Sequence, residues 1–368
     1  MDRHEIERLL AAMGDARARG EHVALATVVR IRGNAYRREG TRMLVRENRT
    51  YECALSGGCL EPAVADAAQR VLSTGEPAII DYNLADDSVF GLGIGCTGEV
   101  DIRIQRVDHD AVTEAWLNAL QRGTPAVLVT ILTGGSGRLM VSAAAVVGSL
   151  GREDLDAEAV RRAGARLAAP EATSGVEWID GLELFFEANL PAPALILFGA
   201  GHDAPSVAAL AWTLGFAVTV VDVREAFLTA ERFPHATLVL ADFDRLDVAI
   251  HPSRHSFVVV MNHHLERDRY SLRRAFESEA SYVGLLGPLS RGRRLLADLA
   301  AEGYSPSAGA LARLHSPVGL SLGAETPEEV AVSILAEILA VRRGFAGGFL
   351  SGTSTGLHRA DATALSRP

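Results

Sequence analysis

Lysine is missing from this chain: all 36 basic residues among 368 are arginine. That excludes any chemistry that needs a lysine amine, including Schiff bases, a pyridoxal-phosphate anchor and a Walker-type phosphate lysine. Arginine stays protonated near neutrality and is a poor general base. Cysteine is scarce, with only Cys53, Cys59 and Cys96. Three is too few, and odd, for a disulfide scaffold, and no Cys-x-x-Cys pair argues for structural zinc. Long apolar runs are lacking. Stretches such as Val141 to Leu150 fall short of the ~18 residues of a spanning helix, so no membrane association is expected. The opening M-D-R-H-E-I-E-R-L-L has no apolar stretch of a secretory signal, and a cytoplasmic location with reduced thiols is the expectation. Nor is there a basic excess. Acidic residues number 46 and the net charge is −10, which argues against a nucleic-acid partner.

What is present reads as a globular α/β protein. Hydrophobic residues make up 48% and charged residues 22%, ordinary values for folded domains. The length suits two domains. Residues 2–19 carry Ile6, Leu9, Leu10 and Met13 on one helical face. The valine-rich segment 22–31 and the segments 41–45, 51–55, 78–82 and 100–107 read as strands, with a helix over 60–72. Further strands are expected at 126–132, 139–147 and 182–187, and a helix at 152–168. We read residues 1–190 as one mixed α/β domain. The stretch N-L-P-A-P-A, 189–194, reads as a linker because two prolines resist regular structure.

Beyond the linker the pattern changes. Near-continuous apolar runs begin at Leu195, Ala217, Leu238, Phe257 and Tyr282, mostly separated by helical segments. Runs of that kind suit parallel strands buried on both faces. A doubly wound, Rossmann-like parallel sheet over 191–345 is the natural inference. T-P-E-E at 326–329 predicts a capped final helix, and residues 346–368 read as a loosely ordered tail. The first strand of this domain runs into G-A-G-H-D-A, 199–204. Gly199 would allow a tight turn, Gly201 close approach of a pyrophosphate, and Ala204 helix–strand packing. Asp222 stands where a ribose-binding carboxylate belongs, and Arg224 suits a 2′-phosphate or another anion. Asp203, by contrast, puts negative charge where phosphate would sit. His202 lies in the glycine loop. His263 and His264 follow the strand at 257–261, where doubly wound sheets bind ligands, and share that end with Asp268.

In the first domain, residues 30–49 hold seven arginines (30, 32, 37, 38, 42, 46 and 49) against Glu39 and Glu47. Strand alternation sends Arg30 and Arg32 to one face. Such a cluster reads either as solvated strand edges or as an anion site, since guanidinium pairs bidentately with phosphate. The neighbouring S-G-G-C-L-E, 56–61, places Cys59 after Gly57 and Gly58 at a helix start, a position that favours thiolate. Cys96 lies in a second glycine-rich loop, G-L-G-I-G-C-T-G at 91–98, and Cys53 within a strand reads as a small buried hydrophobe.

Together these motifs resemble the XdhC/CoxI family, accessory factors of xanthine dehydrogenase and related molybdenum hydroxylases. The resemblance rests on G-N-A-Y-R-R-E-G-T-R-M-L-V, L-S-G-G-C-L-E, G-L-G-I-G-C-T-G, L-F-G-A-G-H-D-A, Y-V-G-L-L-G and S-P-V-G-L-S-L-G-A-E-T-P-E-E-V-A-V-S-I-L-A-E-I, and covers nearly the whole chain. It implies a non-catalytic chaperone that binds the molybdenum cofactor in its molybdopterin form. Such a factor protects the cofactor while a cysteine desulfurase supplies sulfur, then delivers it to the apo-hydroxylase. Arg37, Arg38, Arg42, Gly57, Gly58, Cys59, Glu61 and Cys96 are the expected contacts in the first domain, with Cys59 and Cys96 as candidate molybdenum ligands. Gly199, Gly201, His202, Asp222, Arg224 and His263 are the expected contacts in the second, for the cofactor or for NAD(P) or another nucleotide. Where the family usually carries serine at 34, proline at 39, glycine at 53 and threonine at 262, this chain has Asn34, Glu39, Cys53 and Asn262. The alternative is an NAD(P)-dependent oxidoreductase with His263 or His264 as acid–base. A homodimer is the default assembly.

Overall fold

A computed structural model describes residues 1–33, 35–83, 98–169 and 172–351. The chain divides into two compact units, one built on Met1–Pro191 and the other on Ala192–Phe349. The tail expected at 346–368 lies outside the described residues from 352 onward.

The first unit opens with α1 (Arg3–Arg19), fixed at its start by a reciprocal Asp2–Glu5 capping box and at its end by Gly20 in the left-handed region. There follow β1 (Val23–Arg32), β2 (Arg42–Arg46), β3 (Tyr51–Glu52), α2 (Glu61–Thr74), β4 (Ala78–Asn83) and β5 (Glu99–Arg106). These strands form an antiparallel sheet in the order β3-β2-β1-β5-β4. Alternation along the strands sends Ala24, Ala26, Met43, Ile102 and Ile104 to the face covered by α2. It sends Leu25 and Leu44 to the opposite face, where α1 packs.

The next stretch does the same thing again. It runs α3 (Ala111–Arg122), β6 (Ala126–Thr133), β7 (Arg138–Ser142), β8 (Val146–Ser149), α4 (Glu153–Ala168), β9 (Gly175–Ile179) and β10 (Leu182–Asn189). Its sheet order is β8-β7-β6-β10-β9, again antiparallel. Val127, Val129, Leu184 and Phe186 meet α4 on one face, while Leu128 and Met140 meet α3 on the other. Within the described residues the first unit is therefore two copies of one α-βββ-α-ββ module, where the sequence reads as one undivided α/β domain. The strand expected at 139–147 is a hairpin, broken at 143–145 where the Ser142 amide reaches the Ala145 carbonyl at 2.9 Å.

The connections differ between the copies. In the first copy, β1–β2, β3–α2 and β4–β5 are joined by residues 33–41, 53–60 and 84–98; in the second the equivalents are 134–137, 150–152 and 180–181. Among the described residues the first copy thus carries Cys53, Cys59 and the S-G-G-C-L-E motif on connections longer than their counterparts. The second copy uses tight turns.

The second unit is the expected doubly wound sheet. Its strands are β11 (Ala194–Phe198), β12 (Ala217–Asp222), β13 (Ala236–Leu240), β14 (Ser256–Val260), β15 (Tyr282–Leu285) and β16 (Leu314–His315). All are parallel, in the order β13-β12-β11-β14-β15-β16. Helices α5 (Ala204–Thr213), α6 (Leu246–Ala249), α7 (Leu265–Glu277), α8 (Leu289–Ala301), α9 (Ala308–Ala312) and α10 (Pro327–Arg343) accompany them. Leu195 and Leu197 face α5 and α10, while Ile196 and Phe198 face α7 and α8, so β11 is buried on both faces. Thr326 and Glu329 form the expected capping box on α10. The strand order reverses between β11 and β14, so the loops following these strands flank the usual ligand crevice of such a sheet.

Candidate functional site

The S-G-G-C-L-E segment is built around two buried side chains. Glu61, at the first turn of α2, accepts hydrogen bonds from the Leu55 amide (2.9 Å), the Ser56 amide (2.8 Å) and the Ser56 hydroxyl (2.6 Å). Burial pushes the Glu61 carboxyl up, but the donors from Ser56 and Leu55 outweigh it and hold it below the ordinary glutamate value. Ser56 Oγ in turn accepts from the amides of Gly58 and Leu60, each at 3.2 Å, and lies 3.4 Å from Cys59 Sγ. Gly58 sits at φ 111, a conformation closed to other residues. Cys59 precedes α2 by two residues, outside the helical turn in which the sequence places it.

Glu61 is therefore a brace for the loop. Both its oxygens accept from the chain's own Leu55 and Ser56, at the position expected to contact a ligand. The amides of Gly57 and Cys59 make no hydrogen bond among the described residues. A pocket of about 180 Å³ opens beside them, lined by Cys59, Gly57, Ser56, Tyr36, Arg37 and apolar side chains that include Val28, Ile31 and Val100. Tyr36 is 64% exposed at this pocket. Cys96 and its glycine loop lie outside the described residues. Among the described residues no three His, Cys, Asp or Glu side chains converge as a metal cluster.

The arginine cluster is mostly turned inward. Arg30 and Arg32 share a face as alternation requires, and both clamp Asp101, at 2.8 Å each. Arg30 also reaches Glu183 at 2.6 Å, and Arg32 reaches Glu99 at 2.6 Å. Arg46 bridges Asp15 and Glu21. Arg42 is buried, bonded to Glu187 at 2.5 Å, with its guanidinium 5.2 Å over the Trp116 ring. That corrects its assignment to an anion site: it joins the two modules of the first unit. Arg37 bonds Glu5 at 2.6 Å, yet its Nε is buried without a partner and the side chain lines the Cys59 pocket. Arg38 accepts at its carbonyl from the Thr41 hydroxyl at 2.7 Å in the same connection.

In the second unit Gly199 takes φ 115, and a Cβ there would fall 2.6 Å from the Met261 carbonyl oxygen. Close approach of its own chain explains that glycine. Asp222 is wholly buried. It accepts from the Ala200 amide at 2.7 Å, the Arg224 amide at 2.9 Å and the Arg224 guanidinium at 2.7 Å. Burial raises its carboxyl, but the Arg224 and amide donors hold it below the ordinary aspartate value. Asp222 and Arg224, expected as ribose and phosphate contacts, are thus paired with each other. His263, at φ 57, places its Nε2 3.2 Å from Asp203 and its ring against Gly201. Arg232 donates to the Gly201 carbonyl at 2.9 Å. Asp268 is buried under Arg291 and receives the Asn262 amide at 3.0 Å, so it braces the β14–α7 connection instead of facing the crevice. His202 is exposed at this end of the sheet, and His264 stands at the N-cap position of α7 without a side-chain hydrogen bond to the helix.

Comparison with known proteins agrees with this architecture. A model of the XdhC Rossmann domain matches residues 195–338, and a model of the XdhC and CoxI family matches residues 16–83. A Bacillus subtilis (strain 168) protein, named as a probable subunit of xanthine dehydrogenase, is 32% identical over 88% of this chain and 94% of its own length. The chain belongs to the XdhC and CoxI family. An Escherichia coli (strain K12) relative of this family member, "Molybdenum cofactor insertion chaperone PaoD", is 25% identical over 88% of this chain and 84% of its own. A solved structure described as a xanthine dehydrogenase from Bacillus halodurans superposes with a TM-score of 0.75 at 29% identity, covering 94% of this chain and 96% of that one.

Two departures of this XdhC/CoxI member from the usual family residues acquire a physical meaning. Cys53 follows β3 at φ 65, a left-handed position where glycine carries no strain. It is half-buried, burial pushes its thiol up, and its Sγ lies 3.4 Å from the Glu5 carbonyl oxygen. It stands outside the strand in which the sequence places it. Asn262 is buried and donates to Asp268 at 3.1 Å and Ser271 at 3.2 Å. Sequence reasoning passed over Ser56, whose single oxygen organises the Cys59 loop; the signal was its position three residues before the thiol.

Proposed function

We propose that this protein binds the molybdenum cofactor at the Cys59 pocket, supports its sulfuration and delivers it to a xanthine dehydrogenase-type hydroxylase. One observation carries the reading: a thiol at an open pocket, flanked by two backbone amides with no partner among the described residues. The residues fit the cofactor's chemistry. A thiolate suits a soft, dithiolene-bound metal. Unpaired amides and the buried Arg37 Nε suit a phosphate or the polar edge of a pterin. The walls formed by Val28, Ile31 and Val100 suit a flat ring. Ser56 and Glu61 contribute by holding Cys59 in place. The relative named as a molybdenum cofactor insertion chaperone supports this role, and a cysteine desulfurase as sulfur donor, a homodimer and a cytoplasmic setting belong to the same proposal. A dinucleotide in the second unit draws less support, because Asp222 and Arg224 are committed to each other and His263 covers Gly201.

The test is cofactor loading. Wild-type protein and Cys59→Ser are incubated with isolated cofactor, desalted, and assayed for molybdenum and pterin. We expect near-stoichiometric loading of the wild type and about tenfold or weaker affinity in the variant. Equal occupancy in both would remove Cys59 from the proposal.

A further inference from the structure

A second cavity, distinct from the Cys59 pocket, lies within the first unit where its two modules face each other. It measures about 30 Å³, room for about two water molecules. Its polar lining is Thr27, Thr113, Thr130, Arg103, Gln105, Arg138 and Glu187. The register explains why these residues meet. Arg103 on β5 pairs with Thr27 on β1, and Thr27 pairs with Arg42 on β2, so the three stand side by side on the inner face. Thr130 pairs with Phe185 on β10, two residues from Glu187, on the opposing sheet.

The charges in this space do not cancel. Arg42 neutralises Glu187. Asp110 neutralises Arg138, which also donates to the Thr113 hydroxyl at 2.8 Å. Arg103 makes no hydrogen bond or ion pair with any described residue, although Glu187 and Arg138 are near enough to act on it electrostatically. Burial, helped by the Arg138 charge, pushes its guanidinium down to about 10, so it is still a cation at neutral pH. Arg103 is half-buried, so its charge and its five donors are only partly met by solvent. Water can satisfy the donors but leaves the charge.

We propose that this cavity is a resident site for a small monovalent inorganic anion of chloride size, held by Arg103 with Arg138 beside it. The occupant completes the interface between the modules and takes no part in cofactor binding.

The test uses the intact protein at constant ionic strength, exchanging sodium gluconate for sodium chloride or bromide. A halide that binds only the folded state raises Tm saturably, here by about 2–4 °C. In Arg103→Met the halide dependence disappears. Crystals of the wild type grown in bromide show an anomalous peak beside Arg103. A wild-type Tm that ignores halide overturns the proposal. So does an Arg103→Met variant that keeps the same dependence, or a cavity without bromide in the anomalous map. That last measurement decides the matter even if the variant fails to fold.

Discussion

At the scale of single residues, the site depends on side chains that never need to touch a ligand. Glu61 is the clearest case. Its folded-state carboxyl titrates below the usual value because three donors converge on it. Ionised Glu61 therefore stabilises the fold above the ordinary glutamate range, and that contribution is lost as pH falls below about 4.5. Glu61→Gln is expected to lower stability at pH 7 by about 1–3 kcal/mol. The gap to wild type should shrink in the acid limb, as read by urea denaturation at pH 7 and pH 4. A gap independent of pH would mean that the charge is not what holds the loop. Sequence reasoning found the thiol and its glycines, because Cys59 stands in a short motif of distinctive composition. It could not tell a glutamate that holds a loop from one that binds a ligand. Both look alike until the Ser56 and Leu55 amides are placed. The same limit applied to Asp222, whose spacing from Gly199 is that of a ribose ligand while its oxygens serve Ala200 and Arg224.

At the scale of elements, the parallel strands β11, β12, β14 and β15 were legible because burial on both faces leaves an unbroken apolar run. The glycine loop after β11 was legible in place but not in cause. Gly199 is required by the backbone of the β14–α7 connection, where Met261 and Asn262 approach it. Gly199→Ala is expected to cost about 3 kcal/mol or more, since φ 115 and a backbone clash combine. The check is a thermal melt of the variant alongside its cofactor loading. The melt should drop sharply, while any loading by the folded fraction at the Cys59 pocket should persist. The module duplication was illegible for a related reason. The equivalent strands β1 and β6 share an alternation of buried faces but little residue identity, and the connections that follow them differ in length.

At the scale of the whole molecule, the two modules of the first unit are joined by ion pairs as well as by apolar contacts, with Leu117 among Leu9 and Leu25, and Ile6 and Leu10 against the Trp116 cluster. The Arg42–Glu187 pair crosses between them, stacked against Trp116. Removing one partner leaves the other charged and buried, so Arg42→Met is expected to destabilise by about 3–5 kcal/mol. The double variant Arg42→Met/Glu187→Leu should recover much of that loss, because two apolar groups replace the pair. Guanidinium denaturation of the single and double variants separates these outcomes, and equal losses would show that the pair's packing matters more than its charge. In the arginine-rich window at 30–49, which stands out in a protein of net charge −10, Arg30 and Arg42 reach carboxylates of the second module, while Arg32, Arg37, Arg46 and Arg49 pair within the first. The duplication also offers a practical handle. The turns at 134–137, 150–152 and 180–181 occupy the topological seats that hold long connections in the sister module. Those seats are where a fluorescent reporter, an affinity tag or a grafted copy of the Cys59 segment can be spliced in without disturbing the original.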